Sequence, residues 1–225
     1  MQSMFSQSYC TRLKTFKKLV RYLKGTQHKT LKLMMSNKVD RNRQGQLILR
    51  QFADSDWAGC KKTRKSTSCK MIFLSDFLLI HACHRQATIA QSSGEAEYIS
   101  MCSASSDALY CKNLFSFVSI EKEVILASDS NAARSLALRQ GVSKKMRHMD
   151  VKHLVLQQLT KRRLLRVVIV PGNKNPTDLS TKYHPVTHLH ELLKQVGVVA
   201  DPNEFEGPDH RVDPPRLPRK RTEIV

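Results

Sequence analysis

Acids are scarce in this chain. Only 19 of its 225 residues are Asp or Glu, against 38 Lys or Arg, which leaves a formal net charge of +19. A field of that sign favours a polyanionic partner, and nucleic acid is the first candidate. An anionic membrane surface is disfavoured, because there is no lipidation motif and no long apolar span. Six cysteines are present, but none forms a CxxC pair and no CxxC…HxxxH spacing occurs, so no zinc module is expected. The first ten residues lack the apolar segment of a signal peptide. The cysteines therefore read as reduced and mostly structural, in an intracellular protein of a cytoplasmic particle or the nucleus. No internal repeat is visible.

What is present suffices for one medium domain with flanking segments: 40% of the residues are hydrophobic. The charge is uneven. Residues 1–50 hold 12 Lys or Arg and one acid, Asp40. Residues 1–45 read as a basic N-terminal segment, polar over 1–9 and then helical from Thr11 to Lys24. There Leu13, Phe16, Val20 and Leu23 share one face. Residues 46–198 read as the folded domain. Residues 199–225 contain five of the eight prolines beside mixed charges and read as a disordered tail.

Within the domain, strands are predicted over Leu47–Asp54, Ser68–Leu74 and Leu78–His84, with Ala87–Gln91 extending the third. A helix is predicted over Glu95–Phe117, a buried-type strand over Val124–Ser128 and a helix over Ala132–Arg139. A long basic helix follows over Lys145–Arg163, then a strand over Leu165–Val170 and short helices over Thr177–Lys182 and Val186–Val196. A meander followed by βα crossovers makes an α/β domain: a mixed five-stranded sheet, three antiparallel strands then two parallel, with helices on both faces.

The few acids fall at informative places. Asp54 and Asp56 end the first strand on the same face, so spacing does not choose between them. Glu97 lies on the buried helical stripe with Met101, Ala104, Ala108 and Cys111, where a carboxylate is costly without a partner. Glu95 stands about 200° around the helix and is expected to point away. Asp129 follows a strand at the carboxyl end of the sheet, where ligands bind in α/β folds. Asp178 opens a helix, where it can act as an N-cap or as a ligand. Acids gathered at strand ends suit hard divalent cations such as Mg²⁺, and two such ions can drive phosphodiester cleavage.

Six ordered stretches resemble the C-terminal RNase H domain of copia-type LTR retrotransposon Pol polyproteins. They are Ala53-Asp54-Ser55-Asp56-Trp57-Ala58-Gly59, Arg64-Lys65-Ser66-Thr67-Ser68, Gln91-Ser92-Ser93-Gly94-Glu95-Ala96-Glu97-Tyr98, Ser128-Asp129-Ser130-Asn131-Ala132-Ala133, Arg147-His148-Met149-Asp150 and Pro176-Thr177-Asp178-Leu179-Ser180-Thr181-Lys182. Upstream, Leu19–Thr26 is similar to the last helix of that family's reverse transcriptase. The resemblance implies an RNase H-like fold and two-metal hydrolysis of the RNA strand of an RNA–DNA hybrid. It implies Asp54, Glu97, Asp129 and Asp178 as the catalytic ligands of two Mg²⁺ or Mn²⁺ ions, and so selects Asp54 over Asp56. Asp54 would bridge both ions, with Glu97 and Asp129 on one and Asp178 on the other.

Lys61, Lys62, Arg64 and Lys65 in a turn, and Lys145, Arg147 and His148 on the basic helix, are the candidate contacts to the nucleic acid backbone. The polymerase portion of a parent polyprotein is a further candidate partner. Two departures from the family pattern stand out: Cys69 where Gly is usual, and Ala82-Cys83-His84-Arg85 before Gln86 where a Trp is usual. No His lies between Gly172 and Thr177, where many RNases H carry one. A non-catalytic nucleic-acid-binding remnant is the alternative reading.

Overall fold

The computed structural model describes residues 2–32, 39–141, 148–149 and 151–199. Residues 200–225 of the proposed tail, together with Lys145, Arg147 and Asp150, lie outside the described residues, while Val199, its first residue, is in a strand. In chain order the elements are α1 (Gln2–Thr26), β1 (Thr30–Leu31), β2 (Leu47–Asp56), β3 (Thr67–Leu74), β4 (Phe77–Arg85), α2 (Ser93–Phe117), β5 (Lys122–Ser128) and α3 (Asn131–Leu138). They continue with α4 (Val155–Lys161), β6 (Arg166–Ile169), α5 (Asp178–Thr181), α6 (Val186–Gln195) and β7 (Val198–Val199). Short 3₁₀ turns precede α4 and α5.

The main sheet has the order β4-β3-β2-β5-β6. Its β2–β3 and β3–β4 pairs are antiparallel, and β2–β5 and β5–β6 are parallel. This is the mixed sheet of an RNase H-like fold, with the strand polarity expected from the sequence. β2 is central and is buried throughout except at Ile48 and Asp56, which are half-buried.

Two apolar layers follow from the alternation of side chains along the strands. On one face, Leu49, Ala53, Ile72, Val124, Leu126 and Val167 pack with Tyr98, Met101, Ala104 and Ala108 of α2 and with Ala133 and Ala137 of α3. On the other, Phe52, Cys69, Met71, Phe73, Ile125, Ala127 and Val168 pack with Leu179 of α5 and Val196. Phe52 and Phe73 meet edge to face at 5.7 Å between centroids, a geometry worth about 0.5–1.5 kcal/mol beyond area burial.

Several expectations are corrected. The polar residues before Thr11 are helical, as part of α1. The apolar stripe of α1 is not buried: Leu13, Phe16, Val20 and Leu23 are all exposed. Residues 87–91 form no strand, because β4 ends at Arg85 and Gln86 turns inward to hydrogen-bond Ser68 and Ala96. Of the long basic helix only Val155–Lys161 is α-helical among the described residues, and it stops before Arg163 at φ 56°. The pair β1–β7 was not foreseen. It links Thr30 and Leu31 to Val199 and Val198, so contacts cross the boundary drawn at residue 45. Asp40, which pairs with Arg50 and takes the Ser75 hydroxyl on its N–H, crosses it as well.

Candidate metal centre

The three aspartates come from three separate elements. Asp54 lies near the end of β2 and is 1% exposed. Its backbone carbonyl accepts from the Ser100 hydroxyl at 2.8 Å, which fixes the strand against α2. Asp129 sits between β5 and α3. Ser128 Oγ accepts the Ser130 N–H on one side, and Ser130 Oγ caps α3 by accepting the Ala133 N–H on the other. Opposite Asp129 is Gly172, where an added Cβ would lie 3.5 Å from its Oδ2.

Asp178 is the first residue of α5. It does not cap that helix; the cap position is Thr177, without a side-chain cap bond. The loop before it is tied to β2 by buried Asn175, whose Nδ2 donates to the Ala53 carbonyl at 3.3 Å and whose Oδ1 accepts from Thr177. As a result one carboxylate oxygen from each of Asp54, Asp129 and Asp178 lies within 4.8 Å of the others.

Glu97 stands beside this triad rather than within it. Its Oε1 accepts the Ser55 N–H at 3.2 Å, and its Oε2 is buried without a hydrogen-bond partner. Burial, then the nearby Asp54 and Asp129, push its carboxyl up to about 9. Burial raises Asp129 and Asp178 as well, with the Asp54 charge adding to both. Four acids so placed need positive charge.

Part of that charge comes from the chain. Lys182 Nζ lies 2.7 Å from Asp178 Oδ1 and 3.6 Å from Asp54 Oδ2. Burial lowers the Lys182 pKa, but the bond to Asp178 and the charges of Asp54, Asp178 and Asp129 outweigh it, and the net shift is upward. Thr181 Oγ1 donates to Asp54 Oδ2. Thr181 and Lys182 were given no role from sequence, although the i, i+4 spacing of Asp178 and Lys182 on one helix was there to read.

The remaining sequence candidates fall as follows. Asp56 turns away from the triad, its Oδ2 occupying the space a Cβ on Gly59 would need, 1.6 Å from it. Glu95 does not face solvent as expected: it is 8% exposed, and its Oε2 accepts the Gln91 N–H and pairs with His148 Nε2, each at 2.9 Å. His148 therefore meets an acid of α2. Lys61, Lys62 and Arg64 are exposed and Lys65 half-buried, in the turn that follows β2. Trp57 is half-exposed, with its indole N–H on the Ala90 carbonyl at 3.1 Å. His184 Nε2 contacts the Asp178 carbonyl at 2.8 Å; it follows the last acid instead of lying in the loop before it.

The donor set fits a hard divalent cation. The converging atoms of Asp54, Asp129 and Asp178 are all carboxylate oxygens, Glu97 Oε2 beside them is buried without a partner, and a lysine already sits at the edge of the cluster. No helix among the described residues is long and apolar enough to cross a membrane.

No protein-family model matches the chain. It is 27% identical over 150 residues to the retrovirus-related Pol polyprotein from transposon TNT 1-94 of Nicotiana tabacum, covering 66% of this chain and 11% of the polyprotein. It is 26% identical over 192 residues to the Pol polyprotein from transposon RE1 of Arabidopsis thaliana, covering 84% and 13%. The chain thus spans about a tenth of the length of these relatives. Among solved structures, the N-terminal RNase H domain of rv2228c from Mycobacterium tuberculosis aligns with a TM-score of 0.43 at 16% identity, over 66% of this chain and 97% of that one. LC11-RNase H1, in complex with an RNA/DNA hybrid, aligns with a TM-score of 0.39 at 16% identity, over 56% and 88%. With a mixed sheet of RNase H-like order and this kinship in sequence, the chain is a distant homologue of the copia-type retrotransposon Pol polyproteins.

Proposed function

We propose that this chain is the RNase H module of a copia-type Pol polyprotein and hydrolyses the RNA strand of an RNA–DNA hybrid. The observation that carries the reading is the convergence of Asp54, Asp129 and Asp178 from a central strand, a strand end and a helix start. Asp54, Glu97, Asp129 and Asp178 would hold two Mg²⁺ or Mn²⁺ ions. When bound, the ions supply Lewis acidity and a water acidified enough to attack phosphorus at neutral pH. The chain's own residues do the rest. Thr181 holds the Asp54 carboxylate by one oxygen. Lys182 compensates the charge of Asp178 and Asp54. Lys61, Lys62, Arg64 and Lys65 lie at the same end of β2 as the acids and receive the phosphate backbone, with Lys145, Arg147 and His148 as a second contact. Residues 46–198 form the catalytic unit, and the exposed apolar stripe of α1 is the face that would meet the polymerase portion of the parent polyprotein.

The test is cleavage of a labelled hybrid with Mg²⁺ or Mn²⁺. The wild type cuts and Asp129→Asn does not; equal rates for the two would remove the catalytic assignment. A second reading, a nucleic-acid-binding remnant without activity, is favoured by the largely exposed edge of β4 where the family carries a Trp. It predicts salt-sensitive hybrid binding with no cleavage in either protein.

A further inference from the structure

The two departures from the family pattern meet in space. In register, Asp54 on β2 faces Cys69 on β3, and Cys69 faces Cys83 on β4. Residues paired across strands share a sheet face, so the carboxylate and the two thiols form one row beneath α5. Directly opposed residues of antiparallel strands have Cα atoms about 4.5 or 5.5 Å apart, according to the type of pair. Both distances lie in the range a disulfide spans. The irregularity of the β3–β4 ladder falls between Ile72 and Phe73, clear of this pair. Both thiols are free.

Access to the two sulfurs is unequal. Cys69 is fully buried, whereas Cys83 lies exposed on the edge strand. Cys83 Sγ also donates to the Ser180 carbonyl of α5 at 3.4 Å, and His81 Nε2 contacts Ser180 Oγ at 2.9 Å. These two contacts tie β4 to the helix that carries Asp178 and Thr181. Among the described residues no other two cysteines are strand partners.

We propose that Cys69 and Cys83 are a redox-active dithiol that closes to a cross-strand disulfide by exchange with a small-molecule disulfide, loosening α5 from β4. The Cys83 thiolate attacks one sulfur of oxidised glutathione; the S–S bond breaks, one glutathione thiolate leaves, and a mixed disulfide forms on Cys83. The Cys69 thiolate then attacks the Cys83 sulfur, releasing the second glutathione. Two protein thiols are oxidised, one glutathione disulfide is reduced to two thiols, and the two protons lost by the cysteines are taken up by the departing thiolates. Closure removes the S–H that Cys83 donates to Ser180, leaving His81 as the remaining tie.

The experiment uses the purified full chain, reduced and then incubated with oxidised glutathione. Peptide mapping should find a Cys69–Cys83 crosslink that dithiothreitol reverses and that Cys83→Ser, an exposed substitution, prevents. Amide hydrogen exchange at residues 178–182 should speed up by about two- to tenfold in the oxidised protein, the loss expected for one hydrogen bond. A stable glutathione adduct on Cys83 with Cys69 still free after unfolding, or a crosslink between other cysteines, overturns the dithiol. A mapped crosslink with unchanged exchange in α5 overturns the loosening. Neither readout involves cleavage, so this proposal and the nuclease reading fail separately.

Discussion

Glu97→Gln isolates the electrostatic cost of the acidic cluster. The change keeps the shape of the side chain, and its amide oxygen can still accept the Ser55 N–H. What it removes is a carboxyl that burial, Asp54 and Asp129 raise from an ordinary 4.5 to about 9. The sign follows from linkage. Between pH 4.5 and 9 the folded protein holds a proton on Glu97 that the unfolded chain has released, so wild-type stability falls as pH rises through that window. At about 1.4 kcal/mol per pH unit, the interval from 4.5 to pH 7 corresponds to about 3 kcal/mol, and the whole interval to about 6 kcal/mol. The variant escapes this loss. In chelator, its stability relative to wild type should therefore climb from pH 5 to pH 9, with a gain of about 3 kcal/mol between pH 5 and pH 7. Urea unfolding at pH 5, 7 and 9 measures it. Asp129 and Asp178, also raised, contribute their own decline to both proteins and cancel in the comparison. Added Mn²⁺ should stabilise wild type more than the variant, because only the former offers a full carboxylate set. A stability difference that stays flat with pH would refute the account of Glu97 as a buried, proton-holding acid.

Two further outcomes test the supports of the centre. Thr181→Val leaves the buried Asp54 Oδ2 without its hydroxyl donor and should cost about 1–3 kcal/mol in urea unfolding without metal; a loss below about 0.5 kcal/mol would show that Lys182 alone satisfies that oxygen. Replacing Lys61, Lys62, Arg64 and Lys65 together by Ala should flatten the logarithmic salt dependence of hybrid binding, measured by anisotropy, by up to about three; an unchanged slope would take this turn off the phosphate path.

Much of the architecture was legible because its signals are local. The strand alternation of β2 and β3, the apolar run of β5 and the helical stripe from Glu97 to Cys111 each carry their own period, and each forms the element expected. The two-residue strands β1 and β7 carry no period and exist only as partners of each other. Glu95 was misplaced for a related reason. Helical geometry does put it on a different face from Glu97, but that face is covered by His148 and by the chain entering α2, which no count along one helix reveals. At the centre, single acids at strand and helix ends were visible. Spacing alone left Asp54 and Asp56 equal, whereas in the fold Asp56 folds onto Gly59 and Asp54 meets Asp129 and Asp178. The internal cation was missed because Lys182 looked like one of many basic residues in a basic chain.

The row Asp54–Cys69–Cys83 gives the two sequence departures a common physical meaning. The Trp usual in the family falls two or three residues before the Gln, at position 83 or 84; at 83 it would lie across a Gly at position 69, one large ring covering a residue without a side chain, which is how aromatics protect glycines in sheets. This chain places a thiol at each position instead, so the volume beneath α5 is shared between two medium side chains. The floor under Asp178 and Thr181 is then smaller and softer than an indole, and it is held by a weak S–H donor and a histidine. The consequence falls on α5, a helix of only four residues whose intrinsic stability is negligible and whose position depends on what it rests on. Of the groups in the centre, Asp129 is anchored by two flanking serines, whereas Asp54 is the register partner of Cys69 and accepts from Thr181 of α5, so the change at positions 69 and 83 acts on Asp178 and Asp54 together. Under the two-metal reading, any loss of function from these departures should therefore appear as weakened metal binding at Asp54 and Asp178, with the fold intact.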